Sequence, residues 1–209
     1  MKKIVIIASA LAFAFLPTFA QKEHPKKSKK VAPAPAGKYL LKSGIVVMEG
    51  NTKGSRTTTT LYFDDYGTKE MTETIGEMSG VPINSRIINA GGFTYNLDLE
   101  KNTGTKQPTA GPSSGIDFSK INEQMMTNLG LTKSGTDTIL ERVCDVWIMD
   151  MPRMKMKGKY YVWKNIPLKS EVEVNGLTVE MHVAAIEENP KLPASTFEPP
   201  VSMEIEERK

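Results

Sequence analysis

The sequence predicts an α+β chain that is mostly β: an antiparallel meander of roughly eight to ten strands whose apolar face is covered by one main helix. Three observations carry this reading. Phe93, Tyr95, Leu97 and Leu99 alternate with Thr94, Asn96, Asp98 and Glu100. That period of two marks a strand with one buried face. Asn175-Gly176 separates two further alternating runs, 168–174 and 177–186, and is the dipeptide that two-residue hairpin turns favour. Finally, Phe118, Ile121, Met125 and Leu129 recur at helical spacing, which gives the sheet a helix to cover it.

Taken in order, the chain opens with Lys2 and Lys3, an uncharged apolar stretch over 4–16, then Pro17 and small residues at Thr18 and Ala20. This is the order of an export signal, with cleavage expected after Ala20. The stretch falls short of the roughly 20 apolar residues that span a bilayer. No cysteine stands at the cleavage point to carry acyl chains. The mature chain is therefore expected to be soluble, not lipid-anchored, and periplasmic or secreted through Gram-negative-type export, with no membrane-spanning segment after cleavage. Residues 21–37 (QKEHPKKSKKVAPAPAG) are lysine clusters followed by Ala-Pro repeats. They bring too little apolar surface to order themselves and read as a disordered, semi-stiff linker.

Charge divides along the same boundary. The chain carries +3, but residues 21–38 carry +5 and residues 39–209 carry −4. The basicity belongs to the tail, and the acidic remainder does not suit nucleic acid. The lysines are expected either to touch an anionic envelope surface or simply to be solvated.

From residue 38 to 200 the text reads as one domain. Strand-like runs cover 39–49, 55–64, 68–75, 81–89 and 93–100, with turns at 50–54, 64–67 and 91–92. A loop rich in Gly, Thr, Pro and Ser follows over 101–115. The helix is expected over 117–129, capped by Ser114 or Asp117 and ended by Gly130. Strands return over 140–149, 157–164, 168–174 and 177–186. The last of these places Val179, Met181, Val183 and Ala185 on one face. Residues 190–200 read as loop, and the acidic tail 201–209 is expected to fray. Cys144 has no partner thiol in the chain and reads as a small buried apolar residue.

The segment Lys157-Gly-Lys-Tyr-Tyr-Val-Trp-Lys-Asn-Ile-Pro-Leu-Lys-Ser-Glu171 reads as strand, tight Ile-Pro turn and returning strand. Together with Asn175-Gly176, Pro193-Ala-Ser-Thr-Phe-Glu-Pro-Pro200 and Tyr95-Asn-Leu-Asp-Leu-Glu-Lys-Asn-Thr103, it resembles the periplasmic lipoprotein-sorting (LolA/LolB-like) superfamily. The likeness spans residues 39–200 and is nearest in texture to that superfamily's uncharacterised secreted members. The resemblance implies a curved antiparallel half-barrel, with helices on its concave apolar face and a cavity between them for an acyl chain or a lipidated protein. The superfamily's cavity arginine has no assigned counterpart among Arg56, Arg86, Arg142 and Arg153, and one helix is found where the superfamily has several.

No catalytic constellation, metal-ligand spacing, phosphate loop or nucleophile elbow is present, and no cofactor is expected. His24 lies in the linker, and His182 falls on the polar parity of its strand. The chain thus reads as non-enzymatic. The leading reading is an exported carrier that holds a lipid or lipoprotein acyl chain between sheet and helix. Its expected lining is Leu61, Phe63, Phe93, Tyr95, Leu97, Met125, Val172 and Met181. An extended Met151–Lys159 stretch would put Arg153, Lys155, Lys157 and Lys159 on one side, facing an anionic group; the alternative is a lysine-guarded edge or hairpin tip. The second functional reading is an envelope interaction or structural protein with a filled core and a basic surface-binding tail.

Overall fold

A computed structural model describes residues 37–53, 55–78, 80–109 and 116–208. The expected export signal and almost all of the basic linker lie outside the described residues.

Twelve strands form one open, curved sheet. In chain order they are β1 (Gly44–Thr52), β2 (Ser55–Asp64), β3 (Lys69–Met78), β4 (Val81–Ala90), β5 (Phe93–Asp98), β6 (Thr103–Pro108), β7 (Leu131–Ile139), β8 (Arg142–Met151), β9 (Met156–Trp163), β10 (Ile166–Val174), β11 (Leu177–Glu188) and β12 (Glu204–Glu207). Their spatial order is β12-β6-β5-β4-β3-β2-β1-β11-β10-β9-β8-β7. Two meanders, β1–β6 and β7–β11, are joined where β1 pairs with β11. The fold class is therefore the expected one, with more strands.

Local chemistry sets the hairpins. Gly91-Gly92, Leu140-Glu141, Lys164-Asn165 and Asn175-Gly176 all have positive φ at both residues, the geometry whose twist matches the flanking strands. The β9–β10 turn thus falls at Lys164-Asn165, and the expected Ile-Pro turn is instead the start of β10. Likewise, Leu140 is a turn residue and not the first residue of a strand.

Three differences matter for the site. The expected loop 101–115 contains β6. A further strand, β7, lies where only a helix-to-strand passage was read; seven of its residues in a row are exposed, so no apolar alternation announces it. The acidic tail does not fray: β12 pairs with β6 in parallel, which requires the chain to cross the sheet after β11. That crossing segment, 189–203, buries Phe197 and Met203 against Met71, Ile88 and Leu97.

The second apolar cluster gathers Tyr39, Val46, Phe63, Cys144, Ile166 and Leu168, among others. Residues 37–43 tie it shut at one end of the sheet. Tyr39 N donates to Tyr66 O (3.1 Å) and Leu40 N to Lys164 O (3.2 Å), so the segment bridges the β2–β3 and β9–β10 turns. The Tyr39 and Phe63 rings are tilted against each other with centroids 4.4 Å apart.

The helical stretch is shorter than its periodicity. Asp117 caps a single 3-10 turn, Phe118–Lys120. Asn122 then caps α1 (Glu123–Leu129), accepting from Met125 N, and Gly130 closes it at φ 57.

Candidate functional site

Strand register decides which side chains share a face. Leu61 pairs with Thr72, Thr72 with Ile87, and Ile87 with Asn96. Met48 pairs with Thr59 and with Val183. These residues look into the concave side of the sheet. There Met48, Thr59, Leu61, Thr72 and Ile87 bound a cavity of about 310 Å³, near the lower limit of small-ligand pockets at roughly 300 Å³.

The sheet supplies Met48 from β1, Leu61 from β2, Ile87 from β4, Tyr160 from β9 and Met181 from β11. The roof is Ile116 and Phe118, from the segment that leads into α1. Phe118 is held in place by aromatic neighbours, with its ring 5.7 Å from Tyr160 and 6.4 Å from Trp147. The cover is therefore one short segment anchored by one ring. α1 itself packs beside β7 and β8 and contributes nothing to the lining.

One end of the cavity is polar. Glu70 is buried on β3, and its Oε1 accepts from the Tyr39 hydroxyl (2.6 Å) and from Lys38 Nζ (2.7 Å). Burial pushes the Tyr39 hydroxyl well above its ordinary range, and the negative charge and hydrogen bond of Glu70 push it further. Burial also raises Tyr160. At the same mouth Asp117 accepts from Ser119 and pairs with Lys120 at 2.9 Å. Burial alone would raise Asp117, but these hydrogen bonds outweigh it and hold the carboxyl below its usual value.

Of the eight residues expected in the lining, Leu61 and Met181 are there. Phe63 shares their face but is fully buried in the core, beneath Tyr39. Phe93, Tyr95 and Leu97 do share a face, as their alternation requires, but it is the opposite one. Ile88 pairs with Tyr95, and the crossing segment covers this side through Phe197 and Met203. Phe93 lies under Lys106 Nζ, 4.4 Å from its ring centre. Met125 is half-buried on α1, and Val172 lies on β10 beyond the reach of the cavity. The sequence reading missed Met48, Ile87, Ile116, Phe118 and Tyr160 as lining. Phe118 carried a signal, since it began the apolar stripe that predicted the helix.

The cationic row is broken. Arg153 lies in a 3-10 turn, Pro152–Met154, and Lys155 follows in the left-handed region, so neither continues the strand. Lys157 and Lys159 stand on β9, which lies between β8 and β10 and is no edge. Lys159 Nζ sits 4.8 Å from the centre of the Tyr161 ring. Lys155 and Lys157 share a hollow at the hairpin tip with Asp150 and Glu173. The geometry is that of a hairpin tip with mixed charge.

Cys144 is fully buried, and burial raises its thiol above the ordinary value. His182 is exposed, 3.3 Å from Glu49. Among the described residues no helix is long and apolar enough to cross a membrane, and no three or more of His, Cys, Asp and Glu are grouped to hold a metal.

Solved structures share this arrangement of strands. An uncharacterized conserved protein from Thermus thermophilus superposes with a TM-score of 0.58 at 10% identity, over 81% of this chain and 92% of that one. The Pseudomonas aeruginosa MucA/MucB complex superposes with a TM-score of 0.50 at 11% identity, over 78% of this chain and 57% of the matched one. The likeness is one of fold. The LolA superfamily protein NE2245 from Nitrosomonas europaea also matches, with a TM-score of 0.38 at 10% identity, over 74% of this chain and 89% of that one. No family model matches the chain, and no curated protein matches it by sequence.

Proposed function

We propose that this chain is an exported, non-enzymatic binding or carrier protein that holds one apolar chain between its curved sheet and the Phe118 segment. The observation that carries this reading is the cavity. A space of about 310 Å³ walled by Leu61, Ile87, Phe118, Tyr160 and Met181 is a ready site for an apolar guest. Its size suits one acyl chain, free or on a lipidated protein. Neither a nucleophile with its base nor a poised acid-base pair faces the cavity, and Glu70 there is engaged by Tyr39 and Lys38.

The likeness to the MucB complex favours a second reading, in which the partner is a protein. MucB is crystallised with MucA. In this chain β7 leaves one long edge of the sheet open to strand addition. The basic linker would then add contacts to an anionic envelope surface.

Displacement of an uncharged fluorescent alkyl probe separates the readings. The carrier reading expects saturable binding of one probe per chain. Thr72→Phe, which places a ring in the cavity, is expected to weaken it at least about tenfold while the thermal transition stays within a few degrees. Absence of saturable binding in the parent chain would overturn the carrier reading. Binding that Thr72→Phe leaves unchanged would remove it from this cavity.

A further inference from the structure

The concave face does not end at the cavity. Ile87 lines both the cavity and a second, open groove of about 780 Å³ over β4, β5, β6 and β12. The register makes the transition explicit. One row runs Leu61, Thr72, Ile87, Asn96, Thr105, Glu206 across β2 to β12. The next runs Met48, Thr59, Thr74, Ser85, Asp98, Thr103, Glu204. Both begin apolar, pass through threonines, and end in hydroxyl, amide and carboxylate groups. At about 4.8 Å per strand, the first row crosses about 24 Å and the second about 29 Å, which is the scale of an extended amphiphile.

The groove is built for hydroxyls and not for anions. The side chains of Ser85, Asn96, Thr103 and Thr105 have no hydrogen-bond partner within the described residues. The charges beside them are largely satisfied. Asp98 accepts from Lys101 Nζ at 2.6 Å and from the Glu100 and Lys101 amides. Glu206 lies 3.6 Å from an Arg208 guanidinium nitrogen, and Glu204 is exposed. Arg86, the other cation of the groove, is held by Glu73 at 2.8 Å, so three carboxylates against cations that are already engaged disfavour a phosphate or carboxylate head. Free hydroxyl and amide groups at strand spacing suit a head that both donates and accepts hydrogen bonds.

We propose that this groove is the head-group subsite of the same binding site, and that the ligand is an amphiphile with an uncharged, hydroxyl-rich head. This rests on the reading of the cavity as an apolar-chain site. In the ligand so defined, the alkyl chain lies under Phe118 and the head lies over Asn96 and Thr105.

The test compares three amphiphiles with the same twelve-carbon chain, below their micellar concentrations: dodecyl maltoside, dodecyl phosphate and dodecanol. Each displaces the fluorescent probe from the parent chain and from an Asn96→Ala/Thr105→Val double variant. Both substitutions lie on an accessible face, and dodecanol binding serves as the control for an intact fold. The expected result is that dodecyl maltoside binds the parent at least about tenfold more tightly than dodecyl phosphate. The double variant is expected to lose most of that preference and to bind dodecanol as the parent does. Equal binding of all three by the parent, or a preference for the maltoside that the double variant retains, overturns the head-group subsite and leaves the cavity standing. Failure of dodecanol itself to bind the parent overturns the cavity reading and, with it, the subsite.

Discussion

Tyr39 and Asp117 give the polar mouth of the cavity opposite responses to pH. The Tyr39 hydroxyl is buried against the Glu70 carboxylate, so its folded value is raised. The unfolded chain releases that proton near pH 10, while the folded chain retains it. The stabilisation is complete below about pH 10 and is lost as pH rises above it, with a slope of about 1.4 kcal/mol per pH unit for one proton. Tyr39→Phe is expected to flatten the alkaline limb of a denaturant-monitored stability profile by one proton. At neutral pH it is expected to cost about 1 kcal/mol for the lost hydrogen bond. Asp117 works the other way. Its folded value is lowered, so its contribution is present above about pH 4 and is lost as pH falls through the folded value. Asp117→Asn is expected to shallow the acid limb in the same assay while leaving the alkaline limb unchanged. Single residues also mark where sequence reading works: Cys144 as a buried apolar group, His182 at the surface and Gly130 as a helix stop were all legible, because each depends on local chemistry.

At the scale of elements, two joints hold the site in place. Gly130 closes α1 in the left-handed region, and a side chain there would run into the Asp150 carbonyl. Gly130→Ala is expected to destabilise the chain by about 2–4 kcal/mol, read as a drop in the denaturation midpoint. The second joint is the crossing segment, whose Phe197 fills the convex side of β3–β5. Phe197→Ala is expected to cost about 3–5 kcal/mol and to release β12 from β6, seen as hydrogen-exchange protection lost at residues 204–207. These elements also show why legibility was uneven. Asn175-Gly176 announces its hairpin locally. β7 has no core face along most of its length, so its residues carry no alternation to read. β6 is written in Thr and Gly, which serve loops equally well. In β11 the register slips opposite Val47 and Met48. Val183 therefore points inward as expected, while Ala185 is exposed and Ile186 packs on the core.

Over the whole molecule, the class and antiparallel order of the sheet were legible because periodicity and turn chemistry repeat along the chain. The side of each strand that faces the cavity was not. A period of two says that Phe93, Tyr95 and Leu97 lie together. Which surface of the sheet they join is decided by Phe197 and Met203, far along the chain. The expected lining therefore mixed two faces, and the cavity is made by residues from both meanders that meet only after β1 pairs with β11. The central claim is that this space, under Phe118, receives one apolar chain. A crystal structure of the chain grown with 12-bromododecanol tests it most directly, since bromine is located by its anomalous scattering. The account predicts one bromine peak per chain, enclosed by Leu61, Phe118, Tyr160 and Met181. A cavity closed by collapse of Phe118 onto the sheet, with bromine absent or bound elsewhere, would contradict it.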